Sequence, residues 1–197
     1  MQLIACQQCG AATAPHDVVN YGSGGGAYRE LCSACVNLDA AACMGVVGFE
    51  EVRFTPVCIT DARGVEREFH FRQRLFGQMA LDAFELVDGS PGGYQFQIIA
   101  DADADPWTLL ARLIERIRRT LAVTHLSSTH LSPEASGQSI SGTTVRGRIT
   151  SDSSTSQSLP VLVIDGHEVA WEAFGRMLMS FEGWQFKLAI VDRSEEP

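Results

Sequence analysis

Lysine is nearly missing from this chain, which carries 14 Arg but a single Lys, Lys187, and sets 15 basic against 24 acidic residues for a net charge of −9. Such a field repels phosphate backbones, and the arginines are scattered, so a non-specific nucleic-acid footprint made of many cationic contacts is disfavoured. Lysine-based covalent chemistry has one candidate, and Lys187 falls in a strand-like stretch where a solvent-facing side chain is expected. Long apolar runs are absent too, none approaching the ~18 residues of a membrane span, so no membrane partner is expected. The opening Met1-Gln2-Leu3-Ile4-Ala5-Cys6 has no basic n-region and no apolar h-region. It predicts a chain without a signal peptide that stays in a reducing cytoplasm.

Several catalytic signatures are missing or incomplete. There is no Gly-x-Ser-x-Gly elbow, and His167-Glu168 opens like a zincin motif but has Trp171 where the second His is required. Gly22 to Ala27 matches the letters Gly-x-Gly-x-x-Ala of a dinucleotide fingerprint, yet no long helix begins within it and it lacks the Lys-Ser/Thr ending of a P-loop. Asp165, His167 and Glu168, with Glu66, Glu68 and His70 at a loosely corresponding place earlier, are candidates for an acid-base or second metal cluster. An Asp-Gly turn followed by exposed residues accounts for them without any function. His125 and His130 lie in a stretch read as loop, where a ligand role is not expected.

What the chain does have is cysteine in a pattern. At 197 residues with 45% apolar content it reads as globular, and four of its six cysteines form two Cys-x-x-Cys pairs, Cys6 with Cys9 and Cys32 with Cys35. In a reducing compartment such pairs point to a metal, and four thiolates complete the tetrahedral shell of a structural Zn²⁺ with no position left for water. Cys6-Gln7-Gln8-Cys9-Gly10 has the form of a zinc knuckle, Val18 to Tyr21 and Ala27 to Leu31 predict a hairpin tipped by Gly22 to Gly26, and Cys32 opens a helix. In that order the elements, covering residues 3 to 44, resemble the treble-clef class of zinc fingers, with a two-knuckle zinc ribbon as the near alternative. Cys43 and Cys58 are expected to be buried small apolar residues, and His16 is not expected to ligate.

Beyond this segment, residues 1–48, the expected order is a first mixed unit over 49–104, an amphipathic helix over 105–125, a linker over 126–142 and a second mixed unit over 143–197. Strands are expected at Glu51 to Phe54, Val57 to Thr60, Val65 to Phe71 and Tyr94 to Ile99, with Gly92-Gly93 resetting the chain and Gln73 to Phe84 open between helix and strand. Asp105-Pro106 supplies an N-cap and a first-turn proline, and Leu109, Leu110, Leu113, Ile114, Ile117 and Leu121 recur at helical spacing. Later come strands at Thr143 to Thr150 and Leu159 to Ile164, a polar loop at Ser151 to Ser158, a turn at Asp165-Gly166, a helix from Trp171 to Phe181, a strand at Trp184 to Val191 and an acidic tail. Gly93-Tyr94-Gln95-Phe96-Gln97-Ile98 recurs as Gly183-Trp184-Gln185-Phe186-Lys187-Leu188, 90 residues on, which predicts two related strand-strand-helix-strand units with Phe96 and Phe186 equivalent. Trp171, Trp184 and Tyr94 are expected in the core.

The string from Phe174 to Leu188, together with the cysteine segment, resembles an uncharacterised bacterial protein family, and that resemblance implies no activity. The fold class is α+β. The expected role is a zinc-stabilised macromolecular interaction protein, an adaptor or regulator with another protein as partner. The alternatives are a nucleic-acid binder and an enzyme with a site between the two mixed units. The candidate docking face is Arg112, Arg116 and Arg119, spaced by four and three along the amphipathic helix.

Overall fold

The computed structural model describes residues 2–22, 28–132, 135–151 and 159–195. The glycine-rich tip at 23–27 and most of the polar loop at Ser151 to Ser158 lie outside the described residues. The architecture is mixed α+β, with three α-helices and several antiparallel sheets among the described residues, and the chain divides into two units. The first holds residues 1–59 and 67–117, the second 60–66 and 118–197. Among the described residues no helix is long and apolar enough to cross a membrane.

The first unit begins with two small hairpins and a helix. Strands β1 (Ile4–Ala5) and β2 (Ala12–Thr13) pair, as do β3 (Val18–Tyr21) and β4 (Arg29–Cys32), and α1 (Ser33–Met44) follows directly. Helix α1 stops at Gly45, whose φ of 68° is left-handed, and Val46 N–H returns to Ala41 C=O at 3.0 Å, closing the open carbonyl end.

A four-stranded antiparallel sheet comes next in chain order: β5 (Val57–Thr60), β6 (Glu66–Leu75), β7 (Met79–Val87) and β8 (Ser90–Ala100). The ambiguity over Gln73 to Phe84 resolves as two strands broken at Gly77, which takes φ 86°. The reason the pattern is ambiguous is visible in β7. Residues Met79 to Phe84 are all buried, so both faces of this strand are covered and its hydrophobicity runs on without clean alternation. Strands β7 and β8 turn through Asp88-Gly89 at φ 53° and 80°, the left-handed pair that a two-residue hairpin needs. Gly92-Gly93 is therefore not the turn. It sits inside β8 at a register shift, where the Glu85 carboxylate accepts the Tyr94 N–H at 2.7 Å and a Cβ on Gly93 would stand 2.1 Å from that carboxylate.

Helix α2 (Pro106–Leu121) opens as expected, with Asp105 accepting the Thr108 N–H at 2.8 Å and its hydroxyl at 2.7 Å. These hydrogen bonds hold the Asp105 carboxyl below its ordinary range, the Thr108 hydroxyl contributing most. Leu109, Leu113, Ile117 and Leu121 are buried along one side. Glu51 to Phe54 forms no strand; Phe54 instead packs edge-on against Trp107 and Phe71, at centroid distances of 5.1 and 6.2 Å.

In the second unit β9 (Leu126–Ser132) and β10 (Ala135–Ile140) form a hairpin over residues expected to be a linker. Its polar composition hides it, because strands pairing through hydroxyls, as Ser127 does with Ser139 at 2.9 Å, look like loop in sequence. Strands β11 (Arg148–Ser151), β12 (Pro160–Ile164) and β13 (His167–Ala170) make a three-stranded sheet, and α3 (Trp171–Leu178) follows. Leu126, Ile164, Val169 and Met177 form the core here, with Ile140, Leu162 and Phe174 packed against it.

After α3 the expected strand at Trp184 to Val191 carries no strand pairing among the described residues. Phe96 is buried in β8 whereas Phe186 is 91% exposed, so the two recurring strings are not structurally equivalent. Trp171 and Trp184, expected in the core, are 48% and 67% exposed.

Candidate metal centre

The two Cys-x-x-Cys pairs converge because each is placed by a different local device. Cys6 and Cys9 bracket the β1–β2 turn, in which Gly10 N–H bonds to Cys6 C=O at 2.9 Å and Gly10 takes φ 73°. Cys32 ends β4 and N-caps α1, and Cys35 lies in the first turn of that helix. The knuckle is tied to the hairpin by Gln7 N–H on Glu30 C=O at 2.9 Å, and to the helix by the Gln8 amide on Asp39 at 3.1 Å.

All four Sγ atoms lie within 4.8 Å of one another, and the Cys6–Cys35 and Cys9–Cys32 separations are both 3.8 Å. A tetrahedron of sulfurs about 2.3 Å from a central zinc has edges of about 3.8 Å, so the residues present fit a four-thiolate ion. Cys6, Cys32 and Cys35 are buried with Leu31, and Cys9 is exposed. The electrostatics agree with a cation-centred site. N–H hydrogen bonds, the one from Cys9 foremost and others from Cys32 and Gln8, lower the Cys6 thiol to about 6. Burial pushes Cys32 and Cys35 up, with neighbouring thiols adding to the rise. Four crowded sulfurs cannot all ionise without a cation among them. These cysteines could hold a metal ion, and they form the only group of that kind among the described residues.

The remaining candidates fall differently. His16 is no ligand: its ring meets His70 and Phe84 edge-on at 6.0 and 5.8 Å, and burial lowers its pKa. Cys43 and Cys58, expected to be buried, are both exposed. His70 bonds Glu68 at 2.8 Å. His125 Nδ1 lies 3.0 Å from Thr144 C=O, and the side chain of His130 lies outside the described residues.

Asp165 is not part of an exposed cluster. It is buried, takes φ 50° in the Asp165-Gly166 turn between β12 and β13, and its carboxylate accepts the N–H groups of His125 at 2.9 Å and Leu126 at 2.8 Å. The Arg63 guanidinium adds an ion pair at 3.0 Å and also bonds Leu126 C=O. His167 and Glu168 stay exposed, so the three residues do not share a site.

The arginine face is also divided. Arg112 and Arg119 are exposed, but Arg116 is buried and donates to Gln97 C=O at 3.0 Å. A cation predicted for docking thus anchors a strand.

Two polar centres were not legible beforehand. Asn37, on the buried side of α1, accepts the Leu75 N–H at 2.9 Å and donates to Gln73 C=O at 2.9 Å and Glu51 at 2.8 Å. Its side-chain amide acts as a surrogate strand for β6 and staples the cysteine segment to the sheet. The second is Asp82, fully buried in β7, held by Arg74 at 2.8 Å, Arg72 at 3.4 Å and Gln97 at 2.8 Å. A polar residue on the buried stripe of a predicted helix, or an acid inside an apolar strand, is the one signal that would have found them.

Three family models match successive stretches of the chain. Residues 5–46 match Domain of unknown function (DUF7685), residues 50–122 match Domain of unknown function (DUF7686), and residues 128–195 match Domain of unknown function (DUF7713). No curated protein and no solved structure matches the chain. The protein is therefore similar, stretch by stretch, to three domain families whose function is unknown, the first of which covers the four cysteines.

Proposed function

We propose that this is a zinc-stabilised macromolecular interaction protein, an adaptor or regulator that binds another protein through the surface of its metal-organised hairpin. The observation that carries the reading is the closed cage of four sulfurs, which leaves no position for a reacting water and gives the ion a structural role. Zinc is the assigned metal because its bond length matches the sulfur spacing and because thiolates select it. Knuckle, hairpin and helix in that order support a treble-clef reading of the segment, and a thiolate site of this kind suits a reducing cytoplasm.

The cage presents a β3–β4 hairpin with Tyr21 39% and Tyr28 69% exposed on either side of its tip, and Leu3, three residues before Cys6, is 56% exposed. Tyrosines are enriched at protein interfaces because they offer a large rigid surface with a polar end. The arginine face contributes less than its sequence suggests, since Arg116 is buried. The test is affinity recovery from native lysate with zinc-loaded protein, with nuclease-treated samples in parallel. Tyr21→Ala combined with Tyr28→Ala should lose the recovered protein while keeping one zinc per chain. Recovery that nuclease abolishes, or that the double variant leaves intact, would overturn the reading.

A further inference from the structure

His16 lies in the one-turn 3₁₀ helix Pro15–Asp17, which leads into β3 and packs on the four-stranded sheet. Its ring meets His70 of β6 and Phe84 of β7 edge-on at 6.0 and 5.8 Å, and those two, paired across the strands, stack at 6.2 Å. The His16 carbonyl accepts the Arg72 guanidinium at 2.7 Å, and the same guanidinium lies over the Phe84 ring at 5.5 Å. His16 Nδ1 is buried and has no hydrogen-bond partner among the described residues. A doubly protonated ring would place an unpaired buried N–H beside a guanidinium and a second imidazole.

We propose that His16 is a pH-sensitive latch, which docks the Pro15–Asp17 turn on the sheet as a neutral ring and releases it when the ring is protonated. The groups around it set the direction. Burial does most to keep the ring neutral, and His70 and Arg72 add to it, while the Asp17 carboxylate and the Gly89 backbone act the other way. Asp17 is engaged with the Ser33 hydroxyl at 2.5 Å. On β6, Glu68 bonds His70 at 2.8 Å; on β7, Asp82 is held by Arg74, Arg72 and Gln97, and Glu85 by Arg67 and the Tyr94 N–H. Strand β8 carries no charged residue, and Asp88 in the turn before it is exposed. Because the docked ring holds its proton more weakly than a free imidazole, docking is at full strength above pH about 6.5 and weakens as pH falls below it, by up to about tenfold per pH unit, until the docked ring itself takes a proton. Release bares Phe84, 2% exposed when docked, and frees Arg72 from the His16 carbonyl, while Asn37 still holds α1 to β6. The latch does not use the metal, so this inference and the metal reading stand or fall separately.

The experiment is nuclear magnetic resonance on the full-length protein, following ring contacts between His16 and Phe84 from about pH 8 to about pH 5.5 with metal content and Leu75 amide protection measured at each step. Wild type should keep the contacts at neutral pH and lose them with a midpoint below about 6.5, with metal and Leu75 protection unchanged. His16→Phe keeps an aromatic ring that cannot titrate, and its contacts with Phe84 should persist across the whole range. His70→Phe leaves His16 in place but removes a neighbouring cation, and should move the midpoint up toward about 6.5. Wild-type contacts that persist to about pH 5.5 overturn the proposal. So does their loss in step with release of metal or of Leu75 protection, or a His16→Phe variant that loses them on the wild-type course.

Discussion

The cysteine segment and the second unit face the same shortage and meet it with different chemistry. Among the described residues each packs only a small apolar cluster: the first gathers Leu31 with Cys6, Cys32 and Cys35, and the second packs Leu126, Ile164, Val169 and Met177. In the first, four thiols converge where a metal would fix two hairpins and a helix at once. In the second, one carboxylate collects two backbone N–H groups and a guanidinium and so fixes the β12–β13 turn to the start of β9. The difference is one of reach. A metal ties together distant pairs of residues at the cost of needing the ion, whereas Asp165 works only because its donors already face it. Removing each centre should therefore disable its own region and spare the other's.

The largest effect is expected from the metal. Binding a structural zinc contributes on the order of 10 kcal/mol or more to folding a small metal domain, so Cys9→Ser or Cys32→Ser should abolish the metal and disorder residues 1–48. Elemental analysis should find one zinc per wild-type chain. Acid should act like the substitutions, because protons compete with metal for the thiolates and affinity falls as pH falls. A fully folded preparation holding well under one zinc would break the comparison at its first term.

Next comes Asp165→Asn. The amide keeps the turn, which accepts Asn as readily as Asp, but it turns a donor toward donors and leaves Arg63 without its counter-charge. A loss of about 2–4 kcal/mol is expected in denaturant unfolding, with faster hydrogen exchange at Leu126 and no change in zinc content. If exchange rises instead in the β3–β4 hairpin, the two centres are not independent.

Asn37→Ala should cost about 2–3 kcal/mol, since it strips partners from Leu75 N–H and Gln73 C=O, both in the interior. Exchange at the Leu75 amide reads the loss directly, and zinc should stay bound. Retained protection of Leu75 would mean that this end of β6 does not depend on the cysteine segment.

How far the sequence carries depends on whether the cause is local. Each Cys-x-x-Cys pair, the N-cap at Asp105, the buried stripe of α2 and the Asp165-Gly166 turn are set by neighbours a few residues away, and periodicity or spacing exposes them. The β9–β10 hairpin was hidden by its hydroxyls, and β7 by burial on both faces. Arg116, Asp165 and Asn37 were misread or missed because their partners, Gln97, Leu126 and Leu75, lie 19, 39 and 38 residues away. A polar residue's role is written by whatever the fold brings to it. No motif records that.

The smallest effect sharpens this point most. Asp88-Gly89 and Asp165-Gly166 are the same two letters in the same hairpin turn, with φ values of 53° and 80° in one and 50° and 75° in the other. Backbone conformation cannot separate them, so any difference on substitution must come from the carboxylates. Asp88 is exposed, while Asp165 is buried among donors. Asn is at home in the left-handed first position of such a turn, and an exposed side chain has no buried partner to lose. Asp88→Asn should therefore shift stability by less than about 0.5 kcal/mol in the same unfolding measurement that shows the Asp165→Asn loss. Equal losses at the two sites would place the contribution of Asp165 in the turn itself, and its contacts with Arg63, His125 and Leu126 would then be incidental.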